Sequence, residues 1–337
     1  GYREEYIMSE NEQYKHLNAV ANTQDANLSN TLLENFISFY DWGFTDVGAF
    51  YNIEIPQSGI YGGDRHKLRA IDDPNYTDGQ AWEAYRSNWV WETGVLNSEQ
   101  PIRISGVFVG GTFRATGNVE QPYHINYPDG RVVFDTAIST SAEVKLEYSH
   151  KWVNVIPAEG VPWFRQIQQG SFRSDNGTFT QFGSGDWAQL GQTRVQLPTV
   201  AVEVDPTKSL QGYQLGGGQL INSDIVFYVI TETHWECNNL MDQIAYQNDR
   251  NIWLFDTNKI AISGVYPFNY RGELNEHALP SGLYPQLVDD APNASDPSYN
   301  FRYRKCFISE TRAQSVTELS PELYMGTVRC STQVKAI

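Results

Sequence analysis

PYHINYPDGRVVFDTAISTSAEVKLEYSHKWVNV, residues 122–155, reads as a β-meander almost residue by residue. Two short runs, His124-Ile125-Asn126-Tyr127 and Val132-Val133-Phe134, flank Pro128-Asp129-Gly130. Proline presets φ for the first turn position, aspartate bonds its own backbone, and glycine accepts the left-handed φ that a hairpin requires. A third run, Val144-Lys145-Leu146-Glu147-Tyr148, alternates apolar and charged residues with period two. That is the pattern of a strand with one face on a core and the other in water.

Outward from this cassette the chain reads as mainly β. Ile102–Val109 followed by Gly110-Gly111 predicts a strand and a two-residue turn. Upstream, Leu32, Leu33, Phe36 and Phe39/Tyr40 recur at helical spacing, with Ser29 or Asn30 as N-cap and Gly43 as a stop. Gly48–Ile60 reads as extended, and a short helix is expected near Gln80–Tyr85. Downstream, Thr199–Val204, Asp224–Ile230, Ile252–Phe255 and Tyr324–Val334 read as strands, with a helix over Glu236–Gln247 and a glycine turn at Gly216-Gly217-Gly218. The expected organisation is an extended polar arm over 1–25, a helix flanking an antiparallel β-sandwich over 26–156, a linker over 157–197, and a smaller α+β domain over 198–337.

Composition bounds the function. The 337 residues are 40% hydrophobic and 13% aromatic, enough for one or two buried cores and rich in the amphipathic rings that serve interfaces. A formal charge of −16 disfavours general affinity for nucleic acid or anionic membrane. Three widely spaced cysteines, Cys237, Cys306 and Cys330, do not make a disulfide scaffold and suit folding in a reducing cytoplasm. No window reaches the apolar length of a membrane span, and the Gly1-Tyr2-Arg3-Glu4 start lacks a basic-then-apolar leader profile.

The chemistry-bearing residues each carry a structural reading beside the functional one. The 216–218 glycines lack a following Gly-Lys-Ser/Thr and read as a turn. Asp72-Asp73 and Asp289-Asp290 could offer oxygen ligands to calcium but lack calcium-loop spacing and read as solvated acidic loops. His234, Cys237 and Cys306 lack the close pairing of a zinc site, and Cys237 reads as core. Glu83 and Glu92 among Trp82, Trp89 and Trp91 supply the paired acids and rings a glycosidase cleft uses, against the alternative of rings packed in a core or interface. His66, in the basic run Asp64–Arg69, reads as a surface contact. The residues expected at subunit interfaces are Tyr2, Tyr6, Tyr61, Arg65, His66, Trp163, Phe164, Phe172 and Trp187; no catalytic, cofactor or metal residue is assigned, and the chain is not expected to be an enzyme.

The blocks LLENFISFYDWGFTDVGAFYNI, WEAYRSNWVWETGV, PIRISGVFVGG and HINYPDGRVVFD, within about residues 30–155, resemble a virion structural protein of tailed bacteriophages, notably marine and cyanobacterial phages with contractile tails. The second half, GGGQLINSDIVFYVITETHWECNNLMDQIAYQNDRNIWLFD, is similar in element order to α+β tail-terminator-type neck proteins. The resemblance implies a subunit made in the host cytoplasm and assembled in the virion as a ring at the neck or tail. Its implied partners are other virion proteins: portal or adaptor, tail tube or sheath subunits, and further copies of itself. A carbohydrate-binding host-attachment module is the competing reading and a glycoside hydrolase the third.

Overall fold

The computed structural model describes residues 28–55, 65–90, 100–127, 129–158, 196–214, 217–254, 303–320 and 323–336. These form a mainly β protein with two helices and three sheets. In chain order the elements are α1 (Leu28–Asp46), β1 (Phe50–Ile53), β2 (Lys67–Ala70), β3 (Ala81–Glu83), β4 (Trp89–Val90), β5 (Gly106–Val109), β6 (Thr112–Ala115), β7 (Tyr123–Asn126), β8 (Arg131–Phe134), β9 (Val144–Lys145), β10 (Tyr148–Lys151), β11 (Asn154–Pro157), β12 (Thr199–Gln214), β13 (Gly217–Thr231), α2 (His234–Ala245), β14 (Asn251–Trp253), β15 (Tyr303–Ser320) and β16 (Leu323–Ala336).

The smaller lobe holds a seven-stranded sheet, β6-β5-β9-β2-β3-β8-β7, and a three-stranded sheet, β1-β10-β4, all antiparallel. Both sheets contribute to one core in which Trp82, Trp89, Tyr148, Phe134 and Leu146 are fully buried. The β7–β8 hairpin forms as the cassette predicts, with Asn126 opposite Arg131 and Gly130 at φ 66°. Gly110 and Gly111, at φ 57° and 84°, close β5 onto β6. The meander does not continue, however. β9 leaves β8 to pair with β2 and β5, and β10 joins the other sheet. Gln80–Tyr85, expected as a short helix, is instead β3 with its flanks, because Trp82 and Ala84 are needed on the core side of a strand between β2 and β8.

The larger lobe is a six-stranded sheet, β11-β12-β13-β16-β15-β14, antiparallel except for the β11–β12 pair. Alternate residues of β13, Ile221, Ile225, Phe227 and Val229, face a core closed by both helices. In α2, Thr233 caps the N-terminus by accepting from the Glu236 N–H, and Cys237, Leu240, Met241 and Ile244 turn inward. Gly326 on β16 permits this approach: a Cβ there would overlap the Met241 sulfur and sit 3.0 Å from Cys237 Sγ.

The first helix is the main correction to the sequence reading. α1 does not flank the edge of the small lobe. Its Leu32, Phe36, Tyr40 and Phe44 sit in the core of the six-stranded sheet, where the rings of Phe36 and Tyr40 lie 6.2 and 4.9 Å from Phe227. The apolar spacing encoded a helix and left open which sheet it would cover. The helix also runs through Gly43 to Asp46, since nothing there demands a left-handed residue. β15 was not anticipated at all.

Candidate functional site

Two features stand out: a buried polar joint between the lobes and two open strand edges of the larger lobe. The joint forms where the chain crosses from β10 to β11 through Trp152 and Val153. The period-two burial of Val144, Leu146 and Tyr148 gives way at Ser149-His150-Lys151, all three of which are buried. Lys151 Nζ lies 2.7 and 2.6 Å from the two carboxylate oxygens of Asp41, which comes from the α1 face between Ile37 and Phe44. The two side chains are 3% and 2% exposed. Burial pushes the Asp41 carboxyl up and Lys151 opposes that shift. The pair pins the helix to the small lobe.

His150 is enclosed beside this pair. Its Nδ1 is 2.9 Å from the Lys151 carbonyl oxygen, which can only accept, so Nδ1 carries the proton and Nε2 the lone pair. Nε2 has no hydrogen-bond partner among the described residues. Burial first, then the Arg86 and Arg65 charges, pull the imidazole down to about 3, against a smaller upward pull from its backbone bond. It is therefore neutral at physiological pH and unable to act as a base there. Arg86 donates to the Leu197 carbonyl at 3.0 Å, and the Arg65 guanidinium lies 5.0 Å over the Tyr85 ring. Asn88 and Asn154 are hydrogen-bonded to each other across the same seam, and Asn154 donates to the Gln196 carbonyl at 2.7 Å. These groups hold one another and form a structural joint.

The other polar groups read similarly. Asp73 is buried and bonds Arg131 at 3.0 Å, while its other oxygen accepts from the Asn75 backbone and side chain. That corrects its reading as a solvated acidic residue: the guanidinium fills the place a cation would take. Glu83 also bonds Arg131 at 3.0 Å, and Glu92 lies outside the described residues. Cys237, Cys306 and Cys330 are free and buried, their thiols pushed up to about 11, 12 and 11 by burial, which makes them inert. His234 is exposed on α2 and bonds Asn238, apart from the buried thiols. Among the described residues no group of three or more His, Cys, Asp or Glu could hold a metal, and no helix is long and apolar enough to cross a membrane.

Of the interface residues read from sequence, only Arg65 and His66 fall within the described residues; Tyr2, Tyr6, Tyr61, Trp163, Phe164, Phe172 and Trp187 lie outside them, as do Asp289 and Asp290. His66 is buried at 4% exposure, which corrects its reading as a surface contact. Its carbonyl accepts the Leu146 N–H, fixing the start of β2 beside β9. Arg65 is half-buried, and its carbonyl accepts the Tyr148 hydroxyl.

The second feature lies at opposite corners of the six-stranded sheet. β11 covers only Thr199–Val202 of β12, and β14 covers only the start of β15 at Lys305–Phe307. Beyond those points no described residue pairs with the outer side of β12 from 205 to 213 or of β15 from 309 to 318, and their described side chains are exposed or half-buried on both faces. Leu210 and Tyr213 are 57% and 50% exposed there. Both edges are irregular: Pro206 lies in a register shift between Val204 and Lys208, and β15 shifts register at four places. Such irregularities limit indiscriminate pairing at an open edge.

Comparison with protein-family models and with curated proteins gave no match.

Proposed function

We propose that the chain is a structural subunit of a tailed-phage virion, assembling as a homo-oligomeric ring at the neck or tail in a head-to-tail connector or tail-terminator role. In this reading the small lobe is the antiparallel β-sandwich and the larger lobe the tail-terminator-type α+β unit. The observation that carries the reading is the pair of open edges on strands of 16 and 18 residues. Long edges exposed on both faces offer main-chain donors and acceptors to neighbouring subunits. The polar joint supports it too, since its charges are committed to holding two lobes together.

The test is particle assembly. Deleting the gene is expected to yield heads and tails that remain unjoined, or incomplete tails, with joining restored by supplying the protein. Normal infectious particles without it would sink the proposal. A glycan-binding module is the second reading, favoured by Trp235 in α2 and Tyr246 at its C-cap, which are 71% and 83% exposed and, eleven residues apart, lie on the same side of the helix axis. Isolated protein that bound host polysaccharide through these rings would favour it.

A further inference from the structure

We infer that the two open edges are complementary halves of one contact: β12 over 206–214 in one copy pairs, antiparallel, with β15 over 312–320 in the next. The inference rests on the assembly reading above and gives it a surface and a register. Polarity comes first. β12, β13, β16 and β15 are successively antiparallel, so β12 and β15 run in opposite directions. A second copy laid beside the first, the same way up, therefore presents its β15 antiparallel to the exposed β12. Antiparallel pairing is the more stable of the two ladders.

The side chains then select an alignment. With Pro206 placed opposite Ser320, Lys208 stands opposite Glu318 and Leu210 opposite Val316. All four belong to the helix-covered face: Lys208 Nζ bonds Ser29 of α1, Leu210 is paired with the core residue Ile221, Glu318 is paired with Tyr324, and Val316 and Tyr324 pack on that core. Opposite charges and an apolar pair thus meet on one side of the joined sheet. Pro206, without an N–H, falls at the end of the contact, where a missing donor is tolerated.

The stagger has a geometric meaning. Lys208 is level with Ile308 across the sheet, through Ser223 and Thr332, whereas Glu318 is level with Tyr324, eight residues from Thr332 along β16. Each copy is thus displaced along the strands by about 26 Å, at about 3.3 Å per residue, for every four strands (β12, β13, β16 and β15) added to the joined sheet. The offset brings the two uncovered stretches together, whereas an unstaggered contact would set each of them against β11 or β14.

The test uses the full chain with Lys208→Cys and Glu318→Cys combined, since the three native thiols are buried. Mild oxidation is expected to give a ladder of intermolecular disulfide-linked species, with none from either single variant. Glu318→Lys alone is expected to weaken association about tenfold in sedimentation, with recovery when Lys208→Glu is added. A chain that stays monomeric at all concentrations and forms no ladder overturns the proposal, as does an equal ladder from Lys208→Cys with Thr311→Cys. Particles that contain the cysteine pair yet form no cross-link would remove this contact and leave the virion role standing. Cross-linked rings of a protein absent from particles would support the contact and count against that role.

Discussion

The two lobes reach order by different means. The strands of the seven-stranded sheet are two to four residues long, and their ladders are short. Side chains bonded to distant or turn backbone make up the difference: Trp82 Nε1 donates to the Gly79 carbonyl, Trp89 Nε1 to Arg86, Tyr123 to Arg114 and Tyr148 to Arg65. In the six-stranded sheet, β12, β13, β15 and β16 run for 14 to 18 residues, and helices close the core by packing on it. The small lobe therefore depends on particular turns and bonds. The large lobe depends on continuous surface.

Substitutions can break or sharpen this contrast. The largest effect is expected at the joint, where Asp41→Asn leaves Lys151 buried without its counter-charge and should cost about 3–5 kcal/mol in urea unfolding. Asp41→Leu with Lys151→Met should recover most of that loss; equal damage from the double variant would mean that packing, not charge, is what the joint supplies.

Next come the turns. Gly130→Val is expected to destabilise by about 2–3 kcal/mol, because a β-branched residue resists positive φ, and its Cβ would meet the Arg86 carbonyl oxygen at 2.5 Å. Gly110→Ala, with positive φ but open space around it, should lose only about 1 kcal/mol. Equal losses would show that the close approach of the 86–89 loop contributes nothing. In the large lobe Gly326→Ala should cost about 1–3 kcal/mol by pushing α2 off β16, read from thermal unfolding together with faster labelling of Cys237; an unchanged melting temperature would deny that tight packing.

The joint also carries a pH slope. His150 titrates near 6.5 when unfolded and at about 3 when folded, so the unfolded chain binds the extra proton between those values. Its contribution to stability is complete above pH 6.5 and is lost as pH falls toward 3, at up to about 1.4 kcal/mol per pH unit. His150→Phe should flatten the acid limb of the stability curve within that window. A slope identical to the parent's would show that His150 is not its source.

What was legible in the sequence follows the same divide. Gly110-Gly111 and Asp129-Gly130 announced their hairpins because a positive φ is a local demand with a local answer. Leu32, Phe36 and Tyr40 announced a helix for the same reason, but its destination on Phe227 is a contact across nearly two hundred residues. β15 escaped because its longer part, beyond Ile308, is exposed on both faces and needs no alternation. The joint left two readable traces: a lone Asp41 on an apolar helix face, and a strand whose alternation ends in Ser149-His150-Lys151.

The placement of α1 has a mechanical consequence. α1 and β16 both belong to the larger lobe, and the chain between Ala49 and Lys151 leaves that lobe and returns to it. Tension applied between α1 and β16 would run mainly through the long ladders, loading the β16 ladder in shear, while the small lobe, pinned to α1 by the Asp41–Lys151 pair, hangs as a side branch off that path. Under strain, the tryptophan-rich core would be the last to feel the pull.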